Sequence, residues 1–206
     1  MKILKTILAL FISFTATAQA VQDITYFDIP TDQVGEFIQT HKKFMDATMN
    51  DSRTVQGQWV YRHFYGSGAS VAVFTEFANI NDAVNDDPWA SLRSKWQSSN
   101  EDERKELEAL GQKYASFLVN HSDDIRSFDF ENNFVGKENV DWDIPFILVV
   151  GNYNVNKPNA SIAGNAFMEW RTKPGVEKGL QLGGGYTTHF SGSGPDLQLF
   201  SGFKNI

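Results

Sequence analysis

The stretch HFYGSGASVAVFTEFANI, from His63 to Ile80, returns as HFSGSGPDLQLFSGFKNI from His189 to Ile206. The two stretches carry the same residue at nine of their eighteen positions and align without a gap. Each has the pattern of two strands joined by a Gly-Ser-Gly loop, because short loops that contain glycine close β-hairpins. We therefore predict an internal duplication in which each copy contains this hairpin.

The offset of 126 residues between the copies holds further towards the N-terminus. Residues 24–29 (ITYFDI) align with residues 150–155 (VGNYNV), and Phe44 aligns with Trp170. Apolar or aromatic character is kept at the first, fourth and sixth positions of the aligned hexapeptides. The duplication is therefore expected to include a strand and a helix before each hairpin.

The first copy has a readable order of elements. Residues 24–29 form a short strand, and an amphipathic helix follows from about Thr31. After the hairpin, one helix is expected to begin at Asp87 with Pro88 in its first turn, and another at a capping box of Asn100 with Glu103. A last strand ends the copy near residue 130.

The order strand, helix, strand, strand, helix, strand is that of the ferredoxin-like fold, an α+β architecture. The prediction is a signal peptide at residues 1–20, a first repeat at 21–130, a polar linker at 131–145 and a second repeat at 146–206. The second repeat has no counterpart of residues 81–130 and so lacks a helical region and a strand. We therefore expect the sequence to be a fragment that lacks about fifty C-terminal residues.

The first twenty residues have the composition of a secretory signal peptide. Lys2 and Lys5 precede the apolar run ILALFISF, and the triplet Ala18-Gln19-Ala20 follows it. We predict cleavage near Ala20, export to the periplasm or the extracellular space, and no membrane anchor thereafter. Loss of the two lysines changes the formal charge from −7 to −9, so the chain should repel nucleic acid. With no cysteine, it can form no disulfide.

Two ferredoxin-like units in tandem resemble the dimeric α/β-barrel superfamily, in which two such sheets pack into one barrel. The resemblance implies that this chain forms the barrel within one molecule, and it leaves a homo-oligomer open. Relatives include antibiotic-biosynthesis monooxygenases, haem-degrading monooxygenases, chlorite dismutases and stress-responsive proteins. The resemblance therefore selects no single reaction.

Candidate ligand-binding residues follow from the two faces of the hairpins. If Tyr65 pairs with Ala69, one face combines aromatic rings with a few polar groups, as the linings of small-molecule sites do. The first strand of each copy is expected to add residues to that face. The predicted ligand-binding residues are Tyr26, Asp28, Arg62, Phe64, Phe74, Glu76, Asn152, Tyr186 and Gln198. The alternative is a filled interior in which Arg62 and Glu76 form an ion pair.

His63 and His189 occupy equivalent positions before the two Gly-Ser-Gly loops. Because histidine ligates haem iron and transfers protons, they form a candidate histidine site if the barrel brings them together. The alternative is a structural role beside the hairpin loops. His41 lies on the apolar stripe of the first helix and is expected to be buried. No metal-binding motif is present, so no metal site is predicted, and haem is a cofactor that the resemblance allows but the sequence does not require.

The predicted function is binding of a small apolar or aromatic molecule in the barrel cleft of an exported protein. One alternative is a cofactor-independent or haem-linked monooxygenase-like enzyme, in which Arg62, Tyr26, Asp28 or a histidine steers the substrate. Another is a non-catalytic assembly or stress-related protein with a filled interior. The sequence contains no motif for a nucleophilic serine that would decide between them.

Overall fold

The computed structural model describes residues 19–204, so all but the last two residues of the predicted signal peptide lie outside the described range. The strands are β1 (Val21–Phe27), β2 (Val55–Arg62), β3 (Val71–Phe77), β4 (His121–Ser127), β5 (Phe134–Gly136), β6 (Ile147–Tyr153), β7 (Gly183–Gly192) and β8 (Leu197–Phe203). The α-helices are α1 (Val34–Thr48), α2 (Ile80–Asn85), α3 (Pro88–Ser98), α4 (Glu101–Phe117), α5 (Phe130–Asn133), α6 (Ala160–Phe167) and α7 (Lys173–Glu177). Within residues 19–204, no helix has the length and apolar character that a bilayer crossing requires.

The strands form one sheet in the order β2-β3-β1-β4-β7-β8-β6, and every pair of neighbouring strands is antiparallel. The short strand β5 pairs with β7 as well. The sheet curls so that its two outer strands approach each other. The ring of Tyr61 on β2 lies 5.8 Å from the ring of Phe146, which directly precedes β6. The result is an α/β protein whose curled sheet has a concave face and a helical face.

The helical face carries the main hydrophobic core. Helices α1, α3 and α4 pack there, and the rings of Phe37, Phe44 and Tyr114 contact strand residues that include Phe27 and Val71. A smaller core lies where α6 covers β7 and β8; its buried members are Ala160, Met168, Tyr186 and Leu197. These two cores hold the sheet from one side and leave the concave face free for other side chains.

Several local predictions are confirmed. The side chain of Asp87 caps α3, Pro88 is in its first turn, and Asn100 and Glu103 form the capping box of α4. His41 is buried, with its ring nitrogens 3.1 Å from the hydroxyl of Tyr114 and 2.8 Å from the amide oxygen of Gln58. Helix α1 begins at Val34, three residues later than expected, because residues 31–33 form a turn.

The predicted pairing of Tyr65 with Ala69 is wrong by one residue. Tyr61 pairs with Ala72, the ladder ends at Arg62 with Val71, and the amide of His63 donates to Ser70. The second hairpin has the corresponding register, with Thr187 opposite Gln198. Since side chains alternate along a strand, an error of one residue exchanges the two faces of β2 and β7 while leaving β3 and β8 correct.

The segment predicted as a polar linker, residues 131–145, contains regular secondary structure. It contains most of α5 and all of β5, whose residue Phe134 pairs with Gly185 of β7. The limits of the two repeats remain a prediction. What the structure adds is that this segment crosses the concave face and brings aromatic side chains to it.

Candidate functional site

The concave face contains a cavity of about 150 Å³. Nine of its lining residues are aromatic, three are glycine, and the others are an aliphatic residue and two polar residues. They are Trp59, Tyr61, Phe74, Phe128, Phe130, Phe134, Trp142, Phe146 and Phe200, with Gly183, Gly184 and Gly202, and with Leu148, Gln22 and Glu76. A mainly aromatic cavity with few polar groups is typical of small-molecule sites.

Two parts of the chain supply the rings. The strands contribute Tyr61 and Phe74, whose rings lie 5.0 Å apart and nearly perpendicular. The segment between β4 and β6 contributes Trp142 and Phe146, whose rings are 5.2 Å apart in the same edge-to-face arrangement. Edge-to-face packing is a favourable geometry for aromatic pairs, so the rings support one another around the cavity.

Glycine residues leave the space that the rings surround. A Cβ atom placed on Gly202 would lie 3.6 Å from the ring of Trp142 and 3.7 Å from that of Phe146, which are ordinary van der Waals distances. A larger side chain at Gly202 would therefore extend into the cavity. This position offers a way to fill the cavity without moving the backbone.

The polar residues of the cavity are neighbours on adjacent strands. Glu76 of β3 pairs with Gln22 of β1, and the amide of Gln22 donates to the carboxylate of Glu76 at 3.4 Å. Burial raises the pKa of Glu76 to about 7, against an ordinary value of 4.5. Burial also raises the pKa of Tyr61, with a smaller contribution from the charge of Glu76. The cavity thus holds one carboxyl group that titrates near neutral pH.

A second group of polar residues fills another part of the concave face. Arg126, which is fully buried, donates to Asp124 at 2.6 Å, to the carbonyl of Pro195 at 3.0 Å and to that of Thr187 at 3.2 Å. The other carboxylate oxygen of Asp124 lies 3.0 Å from Nδ1 of His189. We call Arg126, Asp124, Thr187 and His189 the polar cluster; its buried charges are paired.

The structure brings some of the predicted ligand-binding residues to the cavity. Phe74 and Glu76 line it. Tyr26 and Gln198 lie elsewhere on the concave face, where the amide of Gln198 donates to the hydroxyl of Tyr26 at 2.8 Å. Asn152 is exposed on the outer strand β6, opposite Gln198.

The remaining predicted residues lie away from the cavity. Tyr186 is buried under α6, where its hydroxyl donates to Asn165 at 2.9 Å. Arg62 is exposed and shares the helical face with Val60, so it does not pair with Glu76. Asp28 and Phe64 are exposed in loops. The shifted register explains the positions of Arg62 and Tyr186.

The two candidate histidines have different surroundings. His63 is exposed at the start of the first hairpin loop, whereas His189 belongs to the polar cluster. Neither residue lines the cavity. The proposal of a joint histidine site would require them to act on one ligand, and nothing in their described contacts joins them.

Sequence reasoning missed most of the rings of the cavity. The register predicted from a Tyr65–Ala69 pair puts Trp59 and Tyr61 on the helical face. The five rings from Phe128 to Phe146 lie at the end of the predicted first repeat, in the predicted linker or at the start of the predicted second repeat. Phe134 and Trp142 in the predicted linker were a usable signal, since solvated linkers are poor in aromatic residues. Arg126 and Asp124 gave a weaker signal, as alternating charges on one face of a predicted strand.

Haem does not fit this cavity. Its volume of about 150 Å³ is that of a cavity that holds benzene, and a porphyrin is several times larger. No histidine lies among the described lining residues, so none could serve there as an axial ligand. Within residues 19–204, no cluster of three or more acidic or histidine side chains is placed to hold a metal ion.

Solved structures with a similar fold are known. A proposed monooxygenase from Lactobacillus acidophilus NCFM has a TM-score of 0.55 at 9% identity, over 91% of this chain and 78% of that one. Another, from Fusobacterium nucleatum, has a TM-score of 0.52 at 14% identity, over 92% and 77% of the two chains. An anthrone oxidase-like protein has a TM-score of 0.50 at 10% identity, over 90% and 73%.

These likenesses show that the chain shares its fold with these three proteins. Identities this low carry no information about activity, because one fold supports many reactions. No protein-family model and no curated protein matches the sequence. The function must therefore be argued from the cavity itself.

Proposed function

We propose that this protein binds a small, largely apolar aromatic molecule in the cavity of the concave face. The observation that carries the proposal is the set of nine aromatic rings around a space of about 150 Å³. Rings that line an open space lose contacts which a bound ring would restore. The volume matches a ligand with one benzene ring.

The proposal includes the tandem arrangement predicted from the sequence. The strand order β4-β1-β3-β2 of the first half and the order β7-β8-β6 of the second support it, since each places a hairpin beside the preceding strand. In this arrangement the cavity lies between two related halves, a common position for ligand sites. Export after cleavage near Ala20 is part of the proposal, and N-terminal sequencing of the protein from its own cells tests it.

Filling the cavity tests the proposal directly. Gly202→Leu should abolish saturable binding of benzyl alcohol, measured by isothermal titration calorimetry, while Gly202→Ala should weaken it because a methyl group fills less space. Gly35→Leu is the matched control, since no atom lies within 4 Å of a Cβ atom added there. If folded Gly202→Leu protein binds benzyl alcohol as wild type does, the cavity is not the site.

An oxygenase that needs no cofactor is the second candidate, and Glu76 is the observation that favours it. A carboxyl group with a pKa of about 7 can accept the proton of an aromatic hydroxyl at neutral pH, which makes the ring easier to oxidise by dioxygen. Oxygen uptake with hydroquinone above the buffer rate, with one oxygen atom of dioxygen entering the product and the other released as water, would support this role if Glu76→Gln loses it. Uptake equal in both proteins would contradict it.

A further inference from the structure

The charges around the cavity restrict the kind of ligand. Glu76 is its one carboxylate, and none of the described lining residues is a lysine, arginine or histidine. An anionic ligand would meet a like charge with no counter-ion, and the partly buried site would strengthen the repulsion. A cationic ligand would instead supply the counter-ion that Glu76 lacks.

The hydrogen bonding of Glu76 leaves room for such a ligand. Within residues 19–204, the hydrogen-bond donor to its carboxylate is the amide of Gln22, and the distance of 3.4 Å marks a weak bond. An ammonium group forms charge-assisted hydrogen bonds that are shorter and roughly twice as strong as neutral ones. It would therefore compete successfully with Gln22 for the carboxylate.

The aromatic rings favour the same charge. The face of an aromatic ring is electron-rich and attracts cations, most strongly in tryptophan. Trp59, Trp142 and Tyr61 all line the cavity that contains Glu76. The chain as a whole has a formal charge of −7, which attracts cations from solution.

The polar cluster provides an internal comparison. Asp124 lies on the same concave face, but Arg126 and His189 both contact its carboxylate, so it needs no external cation. Among the residues that face Glu76, Gln22 on β1 and the rings of the segment from Phe128 to Phe146 bear no charge. Tyr61 on β2 is the neighbouring titratable group, and burial raises its pKa, which keeps it neutral.

We infer that the ligand is a small organic ammonium ion whose apolar body, about the size of a benzene ring, packs against the aromatic rings while its ammonium group binds Glu76. This inference rests on the proposed function, because it requires the cavity to be the ligand site. It adds the charge of the ligand and the residue that recognises it. Benzylammonium is a suitable probe, since it combines one ring with one primary ammonium group.

The test compares three probes of similar size by calorimetry at pH 8: benzylammonium, benzyl alcohol and benzoate. Wild type should bind benzylammonium at least about tenfold more tightly than benzyl alcohol, the size expected of a hydrogen bond to a charged group, and benzoate most weakly. Glu76→Gln should remove the preference for benzylammonium and should still bind benzyl alcohol. Glu36→Gln, an exposed substitution of the same kind, should behave as wild type.

Lowering the pH provides a second readout. Below its pKa of about 7, Glu76 must lose a proton before it can pair with the cation, so benzylammonium affinity should fall by up to about tenfold per pH unit between pH 7 and pH 5. Benzyl alcohol affinity should change little over that range.

The outcomes separate the two proposals. If wild type binds benzyl alcohol as tightly as benzylammonium, or if Glu76→Gln keeps the preference, the inference is wrong while the cavity remains the site. If Gly202→Leu leaves binding of all probes unchanged, or if no probe binds wild type, both proposals are wrong. Preference for the cation with loss of that preference in Glu76→Gln supports both.

Discussion

Asp124 and Glu76 are carboxylates on one concave face, yet their surroundings differ. Asp124 is buried with two basic partners, Arg126 and His189, whose contacts occupy both of its oxygens. Glu76 lies among aromatic rings, with the amide of Gln22 at 3.4 Å. A buried charge that is paired inside the chain belongs to the architecture, whereas one left without a counter-ion is available to a ligand.

The largest expected effect breaks the polar cluster. Arg126→Met should lower the free energy of unfolding by about 3 to 5 kcal/mol, because Asp124 would remain buried with its main counter-ion removed. Chemical denaturation with urea measures the change. Arg62→Met, at an exposed position, should change the stability by less than about 0.5 kcal/mol.

A double variant sharpens this prediction. If the unpaired charge is the cause, Asp124→Asn combined with Arg126→Met should recover part of the stability that Arg126→Met loses. A loss below about 1 kcal/mol in Arg126→Met alone would mean that the cluster contributes little, and the contrast with Glu76 would fail.

The next effect concerns Glu76 and depends on pH. Its folded pKa of about 7 lies above the ordinary 4.5, so the folded protein holds more protons than the unfolded chain between these values and loses stability as the pH rises through them. Glu76→Gln removes this loss. Because Glu76 is only partly buried, we expect a gain of about 1 to 2 kcal/mol at pH 8 and almost none at pH 4.

Thermal unfolding of both proteins across this pH range measures the gain, at about 2 to 4 °C per kcal/mol for a chain of this size. Burial also raises the pKa of Asp23 to about 6, and this contribution to the pH dependence of stability is the same in wild type and in Glu76→Gln. The difference in stability between the two proteins therefore reports on Glu76. A difference that does not vary with pH would show that Glu76 is ionised equally in the folded and unfolded states.

The smallest effect tests the hydrogen bond between Tyr26 and Gln198. Tyr26→Phe removes the hydroxyl that accepts from the buried amide of Gln198 and should lower stability by about 1 kcal/mol, without altering binding in the cavity. Tyr65→Phe, at a side chain that is 93% exposed, is the control. Loss of benzyl alcohol binding in Tyr26→Phe would mean that the two parts of the concave face are coupled.

The two hairpins show where sequence reasoning succeeds. On the return strands β3 and β8, alternating apolar residues assign the faces correctly: Val71 and Val73 meet the helices, and Phe74 and Phe200 face the cavity. On β2, Trp59 and Tyr61 lie on one face and Val60 on the other, so both faces carry apolar residues and the assignment depended on the register alone. That register depends on where the ladder ends, at Arg62 with Val71, which the Gly-Ser-Gly motif did not reveal.

The sequence by itself determined the order of the main helices and strands of the first repeat and the capping of α3 and α4, because these depend on local periodicity and cap chemistry. It also placed Phe74 and Glu76 on one face. Only the tertiary structure decided which strand neighbours share that face, that His189 contacts Asp124, and that the segment from Phe128 to Phe146 surrounds a cavity. Those features arise from contacts between residues far apart in the chain, and no local pattern specifies them.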